Sequence, residues 1–160
     1  MSNPVKPIPE GSHSITAGLV CRDAARAIDF YKKVFGAVEV MNMPGPGGKI
    51  MHAELKIGDS VFFVNDEFPE MGAVAPDASG NRYCSLYLYV EDADLTFNSA
   101  IAAGARVKMP LADQFWGDRY GRVIDPFGHD WGIATHKEDV TPEEMQRRMA
   151  AFAPKAAGQS

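Results

Sequence analysis

The segment Phe115-Trp116-Gly117-Asp118-Arg119-Tyr120-Gly121-Arg122-Val123-Ile124-Asp125-Pro126-Phe127-Gly128-His129-Asp130-Trp131-Gly132-Ile133-Ala134-Thr135-His136 reads as a strand, a tight turn and a second strand. The sequence predicts strands over 120–124 and 129–135, joined by Asp125-Pro126-Phe127-Gly128. Proline presets φ at the second turn position and glycine closes the turn, so the hairpin has a mechanism. Two indoles, a guanidinium and a carboxylate lie within a few residues of it. Flat apolar groups beside a few polar ones are the chemistry of a small-molecule pocket wall.

Upstream of the hairpin the same order of elements occurs twice. A first strand is expected over 15–21, and Asp23 then caps a helix over 24–35. Ala27, Ile28, Tyr31, Val34 and Phe35 give the three-to-four spacing of one buried helix face, and Gly36 ends the helix. Strands are expected over 38–43, 50–57 and 61–65, with a Pro/Gly loop at 44–48. After a polar linker over 66–82 the pattern restarts. A strand over 85–90 is followed by Asp92 as cap, a helix over 93–103 closed by Gly104, a short strand over 107–109 and a loop over 110–117. Each half is strand–helix–strand–strand–strand, a duplicated α+β unit. The halves are placed at about 14–66 and 83–136 within a single domain of 14–140. Thr141, Pro142 and Glu144 form a capping box with proline at the favoured position, so a C-terminal helix is expected over 141–153.

Composition narrows the partners. A net charge of −5 and a pI near 5.3 offer no basic face for nucleic acid. No apolar run approaches the ~20 residues that span a bilayer, and the first residues have no apolar signal-peptide core. A cytoplasmic protein is expected. Cys21 and Cys84 are expected as buried free thiols. There is no Gly-x-Ser-x-Gly, no cysteine with a neighbouring histidine and no phosphate-cradling glycine loop before a helix.

Strand alternation assigns the faces. The more apolar parity, with Ile15, Leu19, Leu86, Leu88 and Val90, is expected under the helices. The opposite parity, with His52, Glu54, Phe63, Tyr87, Tyr89, Asp130 and Gly132, is expected on an open concave face. Tyr87, Tyr89 and Phe63 suit stacking. Trp116 and Arg119 would add an aromatic wall and a charged clamp. Trp131 has the core parity.

With the repeat and the hairpin in hand, the chain resembles the vicinal oxygen chelate superfamily of glyoxalases, bleomycin-resistance proteins and extradiol dioxygenases. The segment 23–37 (Asp-Ala-Ala-Arg-Ala-Ile-Asp-Phe-Tyr-Lys-Lys-Val-Phe-Gly-Ala) and Asp125-Pro126-Phe127-Gly128 carry the resemblance. The string from Phe115 through Val140 and the tail 141–149 resemble the PhnB-like branch. The resemblance implies two βαβββ modules with curved mixed sheets, usually in a homodimer. It also implies metal-ligand positions, which fall here on Thr16, Phe63, Ser85 and Gly132. None is histidine or glutamate, so a divalent cofactor is disfavoured.

The expectation is therefore a metal-independent protein that binds a small organic molecule, of the drug- or metabolite-sequestering kind. Its contact residues would be Trp116, Arg119, Tyr87, Tyr89, Phe63, His52, Glu54 and Asp130. The alternative is a lyase, isomerase or dioxygenase with an off-pattern metal site, beginning at His52 and Glu54.

Overall fold

The computed structural model describes residues 5–77 and 84–156, with side chains to residue 151. The chain divides into two compact units. One holds the N-terminal half together with Pro126–His129, and the other holds the rest from residue 82 on.

The first unit is built from β1 (Gly18–Cys21), α1 (Ala24–Phe35), β2 (Val38–Pro44), β3 (Ile50–Ile57) and β4 (Ser60–Asp66), with sheet order β1-β4-β3-β2. Only β1 and β4 run parallel. The cap residues delimit α1 as the sequence requires. Asp23 accepts from the Arg26 amide at 3.1 Å, and Gly36 turns left-handed at φ 65°. Its apolar face packs on Ala53, Leu55 and Val64, all fully buried. Tyr31 touches Phe62 edge-on and stacks on Phe35, while Phe127 at the hairpin tip sits against Phe30 and Tyr31. A buried carboxylate, Asp66, accepts the amides of Ala24 and Ile50 at 2.9 and 2.7 Å, tying the start of α1 to the start of β3.

The second unit repeats the order: β5 (Leu86–Tyr89), α2 (Ala93–Ala102), β6 (Arg106–Asp113), β7 (Asp118–Ile124) and β8 (Asp130–His136), ordered β5-β8-β7-β6. It adds α3 (Pro142–Ala156), whose first turn is capped by Thr141 through the Glu144 amide at 3.2 Å. The fold is thus the α+β arrangement of two βαβββ modules with a C-terminal helix. Among the described residues no helix is long and apolar enough to cross a membrane.

Four local expectations are corrected. β1 begins at Gly18, so Thr16 precedes the strand and Ile15 is 90 % exposed rather than packed under a helix. The short strand expected over 107–109 runs on to Asp113 as one long strand, β6, broken by two register shifts, and the loop shrinks to 114–117. Pro110 fits there because β6 is an edge strand and needs no second partner for its missing N–H. Cys84 lies outside β5 and is exposed, while Cys21 is buried. Leu86 and Leu88 are only half-buried.

Candidate functional site

The open face of the second unit converges on one carboxylate. Asp118 opens β7 and is 3 % exposed. Its Oδ2 accepts from the Tyr87 hydroxyl at 2.7 Å, the Tyr89 hydroxyl at 3.0 Å and the Trp116 indole N–H at 3.2 Å. Its Oδ1 meets His136 Nδ1 at 2.8 Å, and His136 Nε2 meets Asp139 at 2.9 Å. Tyr120 completes the group. Its ring stacks on Tyr87 at 4.8 Å between centroids and 10° between planes, and Trp116 touches it at 5.6 Å. Tyr87 and Tyr89 stay 45 % and 61 % exposed, so part of each side chain is open to a ligand while the hydroxyls are committed and one face of Tyr87 is covered by Tyr120.

The strands explain why Asp118, Tyr87, Tyr89, Tyr120 and His136 meet. In the β7–β8 register Asp118 faces His136, Tyr120 faces Ala134 and Arg122 faces Gly132, and the β5–β8 register sets Tyr87 beside Gly132 and Tyr89 beside Ala134. All of these share one face by alternation. The room for Tyr120 comes from Gly132, where a Cβ would lie 2.7 Å from the Tyr120 ring. Trp116 is held by a clasped turn. Gly117 (φ 100°) bonds back to Gln114 at 3.1 Å, and its carbonyl accepts the amides of Lys137 and Glu138 at 2.9 and 3.0 Å. Arg148 of α3 donates to the Phe115 carbonyl at 3.3 Å and pairs with Glu138 at 2.8 Å.

The electrostatics follow from the hydrogen bonds. Burial pushes the Asp118 pKa up, but the bonds from His136, Tyr87, Tyr89 and Trp116 outweigh it and hold the carboxyl below its usual value. His136 is raised by Asp118 first and Asp139 second. Burial, then the bond to Asp118, raises Tyr87 and Tyr89, so both phenols stay protonated as donors near neutrality. The cluster is a fixed anion beside partly exposed aromatic rings.

The sequence-predicted residues divide between the units. In the second, Tyr87, Tyr89 and Trp116 come together on Asp118. Arg119 does not join them. Its strand parity turns it to the α2 side, where it pairs with Asp94 and Asp113 beside a cleft of about 610 Å³ lined also by Gln114, Gly117, Asp118, Lys137 and Glu138. Asp130 is on the open face but 2 % exposed, spent on Lys108 at 2.7 Å and Arg122 at 2.5 Å. In the first unit, His52 Nε2 lies 3.4 Å from Glu54, and the His52 ring meets Phe63 at 4.7 Å. Trp131 is buried and donates to Asp125 at 2.9 Å.

Asp118, Tyr120 and His136 are missing from the sequence-based set. The alternation of β7 carries the signal for Asp118 only when the strand begins at Asp118; Tyr120 lies inside the expected strand, and His136 ends β8 on the parity of Asp130 and Gly132.

The metal positions implied by the resemblance do not fit a metal. Phe63 and Gly132 bring no donor atom, and the Tyr120 ring covers Gly132. Thr16 and Ser85 are hydroxyls outside β1 and β5. Among the described residues no three of His, Cys, Asp and Glu are grouped to hold an ion.

Comparison with known proteins agrees with this architecture. An uncharacterized protein of Mycobacterium tuberculosis, Rv0887c, is 43 % identical over 141 residues, covering 86 % of this chain and 83 % of its own. The crystal structure of TioX from a Micromonospora species matches with TM-score 0.60 and 30 % identity, over 78 % of this chain and 99 % of that one. The PhnB protein from Bacillus cereus matches with TM-score 0.62 over 77 % and 99 %, and at 22 % identity it shows the fold alone. The model of the Glyoxalase/Bleomycin resistance protein/Dioxygenase superfamily matches residues 13–133, and the chain belongs to that superfamily.

Proposed function

We propose that the protein binds a small organic molecule on the aromatic face of its second unit, with no metal at the superfamily's usual positions, and that it acts by sequestering a drug or metabolite. One observation carries this: partly exposed tyrosines are locked by a buried carboxylate beside a stacked tyrosine and an indole. A ring fixed by its hydroxyl loses little further freedom when a ligand stacks on it, so binding is preorganised. The PhnB-like branch, a homodimeric state and a cytoplasmic location belong to the same reading.

The test is a thermal-shift screen of aromatic antibiotics and metabolites, followed by calorimetry on the hits. Trp116→Ala is expected to weaken binding by about 1–3 kcal/mol, the range for losing a buried aromatic contact. Unchanged affinity would remove the indole from the site. Near-stoichiometric zinc, nickel, iron or manganese in tag-free protein would overturn the metal-independent part.

A further inference from the structure

The open face of the first unit carries donors that the aromatic site does not use. Met41 and Met43 stand two residues apart on β2, and the register sets Met41 opposite Glu54 and Met43 opposite His52 on β3. Opposed residues of an antiparallel pair share a face, with Cβ atoms ~4.5–5.5 Å apart. The methionines reach this face through a bulge. Glu39 pairs with Leu55 and the next pair is Met41 with Glu54, leaving Val40 as the extra residue. A regular ladder would set Val40 and Asn42 against Glu54 and His52, and turn both thioethers toward the α1 side. Bulges of this kind re-aim side chains at sites. Met41 and Met43 are 42 % and 47 % exposed, so both residues are open to solvent.

His52 is arranged to match. Glu54 lies 3.4 Å from its Nε2, and Phe63 packs edge-on against the ring. A carboxylate at one ring nitrogen holds the proton there and leaves the lone pair of the other for a metal. Here that leaves Nδ1. Two thioethers and one imidazole are a soft, neutral donor set, which selects Cu(I) over zinc, magnesium or calcium.

We propose that Met41, Met43 and His52 bind one soft monovalent cation, Cu(I) or its stable surrogate Ag(I), with Glu54 orienting the imidazole. The site uses none of the superfamily's usual ligand positions and lies wholly within the first unit.

The test uses the full chain carrying Cys84→Ser, because the exposed thiol would compete for the ion. It is titrated with Ag(I) in chloride-free buffer and followed by calorimetry and methionine-methyl NMR. One ion per chain is expected, with two of the eight methionine methyl signals shifting. Met41→Leu and Met43→Leu, which conserve volume, identify those signals and each lower affinity at least tenfold. Glu54→Gln lowers it by about 10–100-fold, the range for removing a ligand's orienting partner. Ag(I) uptake that survives the double leucine variant, signals shifting from other methionines, or zinc displacing Ag(I) would each overturn the proposal. So would the absence of Ag(I) binding, and that readout needs no substituted methionine.

Discussion

Asp118→Asn tests whether one carboxylate holds the aromatic face together. The substitution keeps shape and removes charge. With the amide oxygen in the Oδ2 place, the three bonds from Tyr87, Tyr89 and Trp116 survive as neutral bonds. The amide N–H then meets His136 Nδ1, which accepts once the imidazole proton moves to Nε2 beside Asp139. A bond to a charged acceptor contributes ~1.5–3 kcal/mol and a neutral one ~0.5–1.5, so each loses about 1 kcal/mol and the three together about 3. For a chain of this size that is a drop in Tm of roughly 6–12 °C. The flipped amide faces three donors with a donor and is worse.

The pH dependence carries its own sign. The native Asp118 pKa lies below its unfolded value, so its contribution is full above about pH 4 and fades as pH falls through the native pKa. The His136 pKa is raised, so its contribution is full below about pH 6.5 and fades as pH rises through the native value. The gap between wild type and Asp118→Asn is therefore widest near pH 5–6, as read by urea unfolding with tryptophan fluorescence. A gap under about 0.5 kcal/mol, the range of ordinary surface substitutions, or one independent of pH, would refute the argument.

Three further outcomes are expected. Gly117→Ala should destabilise by more than about 2 kcal/mol in chemical unfolding, since it combines a φ of 100° with a Cβ 2.1 Å from the Glu138 carbonyl. His136 should titrate above the ordinary ~6.5 by NMR, falling back more with Asp118→Asn than with Asp139→Asn, because Asp118 is the larger cause. Gly132→Ala should displace the Tyr120 ring and unstack it from Tyr87, seen as a near-UV circular dichroism change with a loss of about 0.5–1.5 kcal/mol.

Legibility in the sequence tracked how local each determinant is. α1 could be bounded to the residue because its stop signals, Asp23 and Gly36, act on their own neighbours. β6 was obscured because Pro110 and two register shifts imitate a loop, and only the edge position in the sheet makes them tolerable. Parity alone places Tyr87 and Tyr89 on the open face, where the β5–β8 register sets them. Arg119 and Asp118 share one limit of the sequence. Starting the strand at Tyr120 left both in a loop, where no alternation separates them, whereas in β7 they face opposite sides. The bulge at Val40 shows the converse limit, since a single extra residue moves two methionines across the sheet and leaves no mark in the local sequence.

Gly132 links the side chains at the implied metal positions to the aromatic face. At this position the superfamily resemblance expects a ligand, yet even a Cβ would press 2.7 Å from the Tyr120 ring and 2.9 Å from its hydroxyl. A histidine or glutamate there needs the volume the ring occupies. The ring in turn supports Tyr87, whose hydroxyl depends on Asp118. A ligand side chain at residue 132 and a stacked Tyr120 are therefore alternatives for one space. Adding a donor by Gly132→His alone would dismantle the tyrosine stack before it built a coordination sphere, because Phe63, Ser85 and Thr16 offer an ion at most two weak hydroxyls. The same exclusion gives a reason for glycine at residue 132 that rests on packing, with no appeal to backbone conformation.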